Sequence, residues 1–174
     1  MNPWLIGIAR TGTALALVAS VLVPATAASA ADNPEDDGPW YLFNRKSTLC
    51  LDVPNQTSGG NGTRLQVWAC ITPDQVNQQW ERNWITKTTF ELRSSDSDRC
   101  LEARSSGRVV IFDCDSSRRV AQQWRVRNNR LKNVKFDKVL DAPGTTNGSP
   151  VTVNSVDTQT DSQRWTFRSP DDFD

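Results

Sequence analysis

The four residues Asn77-Gln78-Gln79-Trp80 return as Ala121-Gln122-Gln123-Trp124 and again as Ser162-Gln163-Arg164-Trp165, at intervals of 44 and 41 residues. A Gln-x-Trp triplet therefore closes each of three successive units, and repetition on this scale decides the architecture before any local reading does. Upstream of the triplets stand Cys50-Leu51-Asp52-Val53, Cys100-Leu101-Glu102-Ala103 and Val139-Leu140-Asp141-Ala142. Eight residues before the first position of each comes a leucine, Leu42, Leu92 or Leu131, followed two places on by Asn44, Ser94 or Asn133. The middles align as well, at Leu65–Cys70, Val109–Cys114 and Val151–Val156.

Within a unit the apolar pieces are short, alternate with polar residues and are separated by Gly, Asn, Asp, Ser and Pro, which is the pattern of strands joined by turns. Ser58–Thr63 reads as a loop and Arg127–Arg130 as a hairpin tip. No segment sustains a period near 3.6, so helices are expected to be few and short. Four strands in each of three units make twelve, and a closed or nearly closed barrel of hairpins with threefold pseudosymmetry buries them without long free edges. The expected fold is an all-β β-trefoil. A tryptophan recurring once per unit (Trp80, Trp124, Trp165) most simply packs into a shared core. The glutamines Gln78, Gln122 and Gln163 then satisfy backbone groups near a turn.

Four cysteines in an exported chain allow three pairings. The phasing favours Cys50 with Cys70 and Cys100 with Cys114, because each bridge then closes a loop inside one unit and joins equivalent positions. The third unit has Val139 and Val156 there, an apolar pair expected if the two places touch. Metal binding by the cysteines is the weaker reading, since the sequence has no histidine and export favours disulfides.

The first 30 residues have one basic residue, Arg10, no acid, and an apolar run Ala14–Val23 ending on Ala28-Ser29-Ala30. These features predict a cleaved secretory signal peptide over residues 1–30 and hence a secreted protein. The run is shorter than the roughly 20 residues that span a bilayer, so no membrane span is expected. Residues 31–38 form an acidic linker, 39–169 the repeat domain and 170–174 an acidic tail; both ends are expected to be loosely attached.

Twenty basic side chains balance twenty acidic ones in the whole chain, so no net field favours nucleic acid or an anionic membrane. The basic clusters around Arg104–Arg108, Arg118-Arg119 and Arg125–Lys132 have acids nearby and no aromatic ladder, and read as solvated surface. The absence of histidine excludes a Ser-His-Asp triad, a Cys-His pair and a histidine-ligated metal. A glycosidase-like carboxylate pair is not excluded by composition, but the repeats occupy the chain and leave no second domain for a deep cleft. The expectation is a protein that is not an enzyme and needs no cofactor or metal.

Three Gln-x-Trp triplets, two Cys-Leu-acid motifs with their cysteine partners and the export signal together resemble a ricin-type β-trefoil lectin domain, over about Trp40 to Phe167. In that family each unit can carry a shallow sugar pocket, and many units have lost theirs. The resemblance places a complete pocket in the first unit, made of Asp52, Gln66, Trp68, Asn77 and Gln78. The chemistry is sound in its own right. An ionised carboxylate accepts hydrogen bonds from neighbouring sugar hydroxyls, amides both donate and accept, and an indole offers a flat apolar face to the C–H side of a pyranose. Core packing is the competing reading for Trp68.

The second unit has Glu102 and Phe112, with Gln122 retained, but Val110 and Ala121 replace two polar partners. The third keeps Asp141 and Gln163 but has Asn154, Thr152 and Ser162 elsewhere. Both are weaker candidates. The resemblance implies binding of galactose-, GalNAc- or xylose/arabinose-containing glycans, with a protein-binding trefoil (a toxin-accessory subunit or an inhibitor) as the alternative. The sequons at Asn55, Asn61 and Asn147 are read as structural, the last two as Asn-Gly turns.

Overall fold

Strand-length apolar runs cut by turn formers give this chain thirteen short β-strands in a computed structural model that describes residues 38–54, 59–71, 75–117 and 119–173. The signal-peptide reading, residues 31–37 of the linker and the Asn55 sequon lie outside the described residues. The first unit supplies β1 (Trp40–Asn44), β2 (Cys50–Asp52), β3 (Gln66–Trp68) and β4 (Gln79–Thr86). The second supplies β5 (Thr89–Ser94), β6 (Arg99–Ala103), β7 (Val109–Asp113) and β8 (Trp124–Arg127). The third supplies β9 (Arg130–Asn133), β10 (Val139–Asp141), β11 (Ser149–Pro150), β12 (Thr152–Asn154) and β13 (Trp165–Arg168). The strand beyond the expected twelve is β11, whose equivalents in the other units are the single bridging residues Arg64 and Arg108.

Six strands ring the barrel. β1 pairs with β4 at Trp40↔Trp80, β4 with β5, β5 with β8 at Phe90↔Trp124, β8 with β9, and β13 with β1. The remaining step is a single bond from Trp165 N to Asn129 O at 2.7 Å. One end is capped by the hairpins β2–β3, β6–β7 and β10–β12. Each cap hairpin hands over to the next through antiparallel pairing at Arg64↔Val110, Arg108↔Thr152 and Pro150↔Gln66. The last of these joins the third unit back to the first. The hairpin tip between β8 and β9 is Asn128-Asn129, with φ of 51° and 58°. Two consecutive positive φ values define a tight turn that matches strand twist, and Asn tolerates them best after Gly.

The three repeated tryptophans are buried among Leu42, Leu92, Leu131 and the cap residues Leu51, Leu101 and Leu140. Each indole N–H reaches the carbonyl of the cap leucine in its own unit: Trp80 to Leu51 (3.3 Å), Trp124 to Leu101 (3.0 Å) and Trp165 to Leu140 (3.1 Å). Barrel and cap are thus tied by an indole that buries its ring and still satisfies its donor. At two of the three junctions, neighbouring units are stapled by the asparagine two places after the repeated leucine. Asn44 donates to Ser162 O, and Asn133 to Ala121 O and Gln123 O. Ser94 is too short for that reach, but the backbone bond from Ser95 N to Gln79 O persists, as do its equivalents from Arg45 N and Val134 N.

Both expected disulfides are present, Cys50–Cys70 and Cys100–Cys114. Of the valine pair that replaces them, Val139 is buried but Val156 is half exposed, because no covalent bond draws its loop inward. The Asn61 and Asn147 amides are both in use. Asn61 Oδ1 accepts from Asp113 N, and Asn147 Oδ1 from Ala69 N, each at 2.8 Å. The acidic tail is not loose. Pro170–Phe173 form a 3₁₀ turn that sets Phe173 edge-on against Tyr41 and under Arg168.

Because Trp124 fills the core and leaves Leu101 O unpaired when removed, Trp124→Ala should lower the unfolding free energy by about 3–5 kcal/mol in urea titration. Reducing both disulfides, which close short loops, should cost about 3 kcal/mol each by the same measurement.

Candidate functional site

Alternation along β3 sends Val67 into the core and leaves Gln66 and Trp68 on the outer face. Antiparallel register then sets Asp52 directly opposite Gln66. The chain returns at the 3₁₀ turn Val76–Gln78, which delivers Asn77 and Gln78 beneath the same carboxylate. Gln66 Nε2 donates to Asp52 Oδ1 at 2.8 Å; Asn77 Nδ2 and Gln78 Nε2 each donate to Oδ2 at 3.0 Å. A carboxylate has about four acceptor positions, so this cradle orients Asp52 and leaves capacity on Oδ1.

Asp52, Gln66, Trp68 and Asn77 line one open hollow of about 300 Å³, together with Pro54, Ile71 and Gln75. Gln78 does not line it. Its side chain is fully buried behind Asp52, with Nε2 also donating to Ala69 O and Oε1 accepting from Ile71 N. Trp68 is 38% exposed, which places its ring at the surface and not in the core. Support comes from the third unit: Gly148, at φ +83°, has its Cα hydrogen facing Gln66 and Trp68, and a Cβ there would sit 3.8 Å from each. Pro54, Ile71, Gln75 and Gly148 lie on loops with no counterpart in the repeated motifs, so phasing did not single them out. Burial pushes the Asp52 carboxyl above the usual aspartate value, against the opposing hydrogen bonds from Gln66, Gln78 and Asn77.

The second unit has the same frame with different contents. Gln122 Nε2 donates to Glu102 Oε2 at 2.9 Å, as Gln78 does to Asp52. Glu102 also pairs with Arg104 at 3.1 Å and Arg119 at 3.6 Å. Both guanidinium groups lie over the Phe112 ring, at 4.7 and 5.5 Å from its centroid. The carboxylate and the aromatic face that a ligand would use are already covered by the chain's own arginines. In the third unit Asp141 Oδ2 accepts from Asn154 Nδ2 at 2.9 Å and Gln163 Nε2 at 3.3 Å. Asp141 Oδ1 is buried without a partner, and Asn154 provides no stacking face.

The sequence matches the ricin-type β-trefoil lectin domain over residues 39–165. The chain belongs to the ricin-type β-trefoil lectin family. No curated protein sequence matches it. Among solved structures, the lectin domain resembles the designed threefold-symmetric protein ThreeFoil, at 23% identity and a TM-score of 0.65, with 74% of this chain and 96% of that one covered. The C-half of the earthworm R-type lectin, solved in complex with GalNAc, has 18% identity and a TM-score of 0.63 over 75% and 97% of the two chains. The agglutinin from Abrus precatorius has 28% identity and a TM-score of 0.63, covering 78% of this chain and 49% of its own. The lectin domain thus spans about half of that agglutinin chain.

A carboxyl whose folded pKa is raised contributes stability that is complete below its unfolded value near 3.8 and is lost as pH rises through the folded value. Carboxyl-detected NMR titration should therefore give Asp52 a midpoint above 3.8, and Asn77→Ala, which removes one opposing hydrogen bond, should move it higher still.

Proposed function

We propose that the protein is a secreted lectin that holds glycans through one pocket, in its first unit. The observation that supports this most is the Asp52 carboxylate, fixed by three amide donors beside the exposed face of Trp68 at the floor of an open hollow. In this reading Asp52 Oδ1 accepts from one sugar hydroxyl at the position Gln66 leaves free, Asn77 and Gln66 bond its neighbours, and Trp68 covers the apolar side of the ring. Gln78 positions Asp52 without touching the ligand. The earthworm relative solved with GalNAc agrees with galactose- and GalNAc-type ligands, and xylose- or arabinose-containing chains also present vicinal hydroxyl pairs.

The two disulfides suit export, since such bridges persist in oxidising compartments, and a leader over residues 1–30 completes that reading. Catalysis is not part of it. Asp52 is held by three amides, and among the described residues no second carboxylate lines the hollow.

A monosaccharide of about twelve heavy atoms at roughly 0.3 kcal/mol each binds with a Kd near millimolar. Retention on a surface then depends on clustered or extended ligands. On a glycan array the protein should bind galactosides or pentosides, Asp52→Ala should abolish the signal and Trp68→Ala should weaken it about tenfold or more. Affinity should fall on acidification once the pH reaches the raised Asp52 value, because protonation removes the charge that strengthens its bonds to the sugar. Undiminished binding by folded Asp52→Ala would remove the first unit from consideration.

A further inference from the structure

The β8–β9 hairpin has a charge pattern that folding does not require. Its register sets Arg125 opposite Lys132 and Arg127 opposite Arg130. Like charges directly across a ladder repel. At the equivalent places the β4–β5 hairpin has Glu81 opposite Arg93 and Asn83 opposite Glu91, and β13–β1 has Thr166 opposite Phe43 and Arg168 opposite Tyr41. Four cations share one face in this hairpin alone.

Three of them line a hollow of about 260 Å³, close in size to the first-unit pocket: Arg127, Arg130 and Lys132, with Val139, Val156 and Thr158. Arg130 is 6% exposed. Its guanidinium donates to Asn128 O at 3.4 Å and Asp157 O at 3.0 Å, while Nε is buried with no partner. Among the described residues no carboxylate pairs with Arg127 or Arg130; Lys132 alone has one, Asp137 at 2.6 Å. A buried cation without a counter-charge is costly, and an incoming anion relieves it. The apolar wall is Val139 and Val156, at the positions filled in the other units by the two disulfides.

We infer that this hollow binds an acidic sugar, a pyranose carrying a sulfate or carboxylate group. The oxyanion meets Arg127 and Lys132 and balances the charge of the buried Arg130 beside them, and the ring lies against Val139 and Val156 with Thr158 available to a hydroxyl. Charge-assisted bonds from guanidinium to an oxyanion supply the recognition. A nucleic-acid track is not indicated, because among the described residues no aromatic side chain lines the hollow. The site shares no residue with the pocket around Asp52, so the two stand or fall separately.

The test is an amide and side-chain NMR titration of the unaltered protein at fixed ionic strength with galactose 6-sulfate, glucuronate, galactose and inorganic sulfate. The sulfated or the uronic sugar should shift Asn128, Lys132, Thr158 and the Arg130 Nε–H, at least tenfold more tightly than inorganic sulfate, while galactose leaves them in place. Arg127→Ala, an exposed change that should leave the fold intact, should weaken this binding about tenfold, and Arg127→Lys should restore part of it. Acidic sugars that move only the Trp68 and Asn77 signals would overturn the proposal, and so would inorganic sulfate binding as tightly as the sugars. Galactose that fails to move Trp68 would count against the first-unit pocket alone.

Discussion

The side-chain amide of the glutamine in each Gln-x-Trp triplet is the contact on which both fold and site depend. In every unit its oxygen accepts from a backbone N–H just past the second cap strand, at Ile71, Asp115 or Asp157. Its nitrogen donates to a carbonyl of the same loop, at Ala69, Asp113 or Ser155. The same nitrogen also bonds the acidic residue of the cap, Asp52, Glu102 or Asp141. A buried amide that satisfies a loop and a carboxylate together cannot be replaced by an apolar residue without stranding all three groups. The indole two residues on is driven by burial, and the amide settles where the cap lies relative to it.

Given that shared frame, the three units diverge by what fills the space above the carboxylate. In the first it is open. In the second the longer Glu102 draws in Arg104 and Arg119, which stack on Phe112 and close the place from within. In the third an amide, Asn154, has turned onto Asp141 where an aromatic would have stood clear. One backbone therefore gives an open, a self-occupied and an unroofed version of the same hollow, and the differences lie in side-chain chemistry.

Much of this was legible in the sequence because repetition multiplies each weak signal by three. The phasing of Leu42, Cys50 and Trp80 with their counterparts gave the barrel, the cap and the disulfide pairing, and the Arg127–Arg130 hairpin tip followed from its two asparagines. Contacts between units were less visible. Nothing near Glu102 in the sequence shows that Arg119, seventeen residues on, folds back over Phe112. Phasing alone also could not show that Gly148 stands behind Trp68, since the contact joins opposite ends of the repeat array. The tail misled for a related reason: its acids suggested solvent, while one aromatic, Phe173, had a partner in Tyr41.

The pairing of Pro150 with Gln66 has a mechanical side. It backs the Gln66–Trp68 side of the first hollow with chain from the third unit, where Gly148 packs near both residues and Asn147 is pinned to Ala69. Trp68 therefore stands on a seam between the early and late parts of the domain. The backbone bonds from Gly148 N to Val67 O and from Val151 N to Leu65 O act as a clasp across that seam. Their hold reaches beyond the first unit, because opening the seam exposes the cap ring that all three hairpins share.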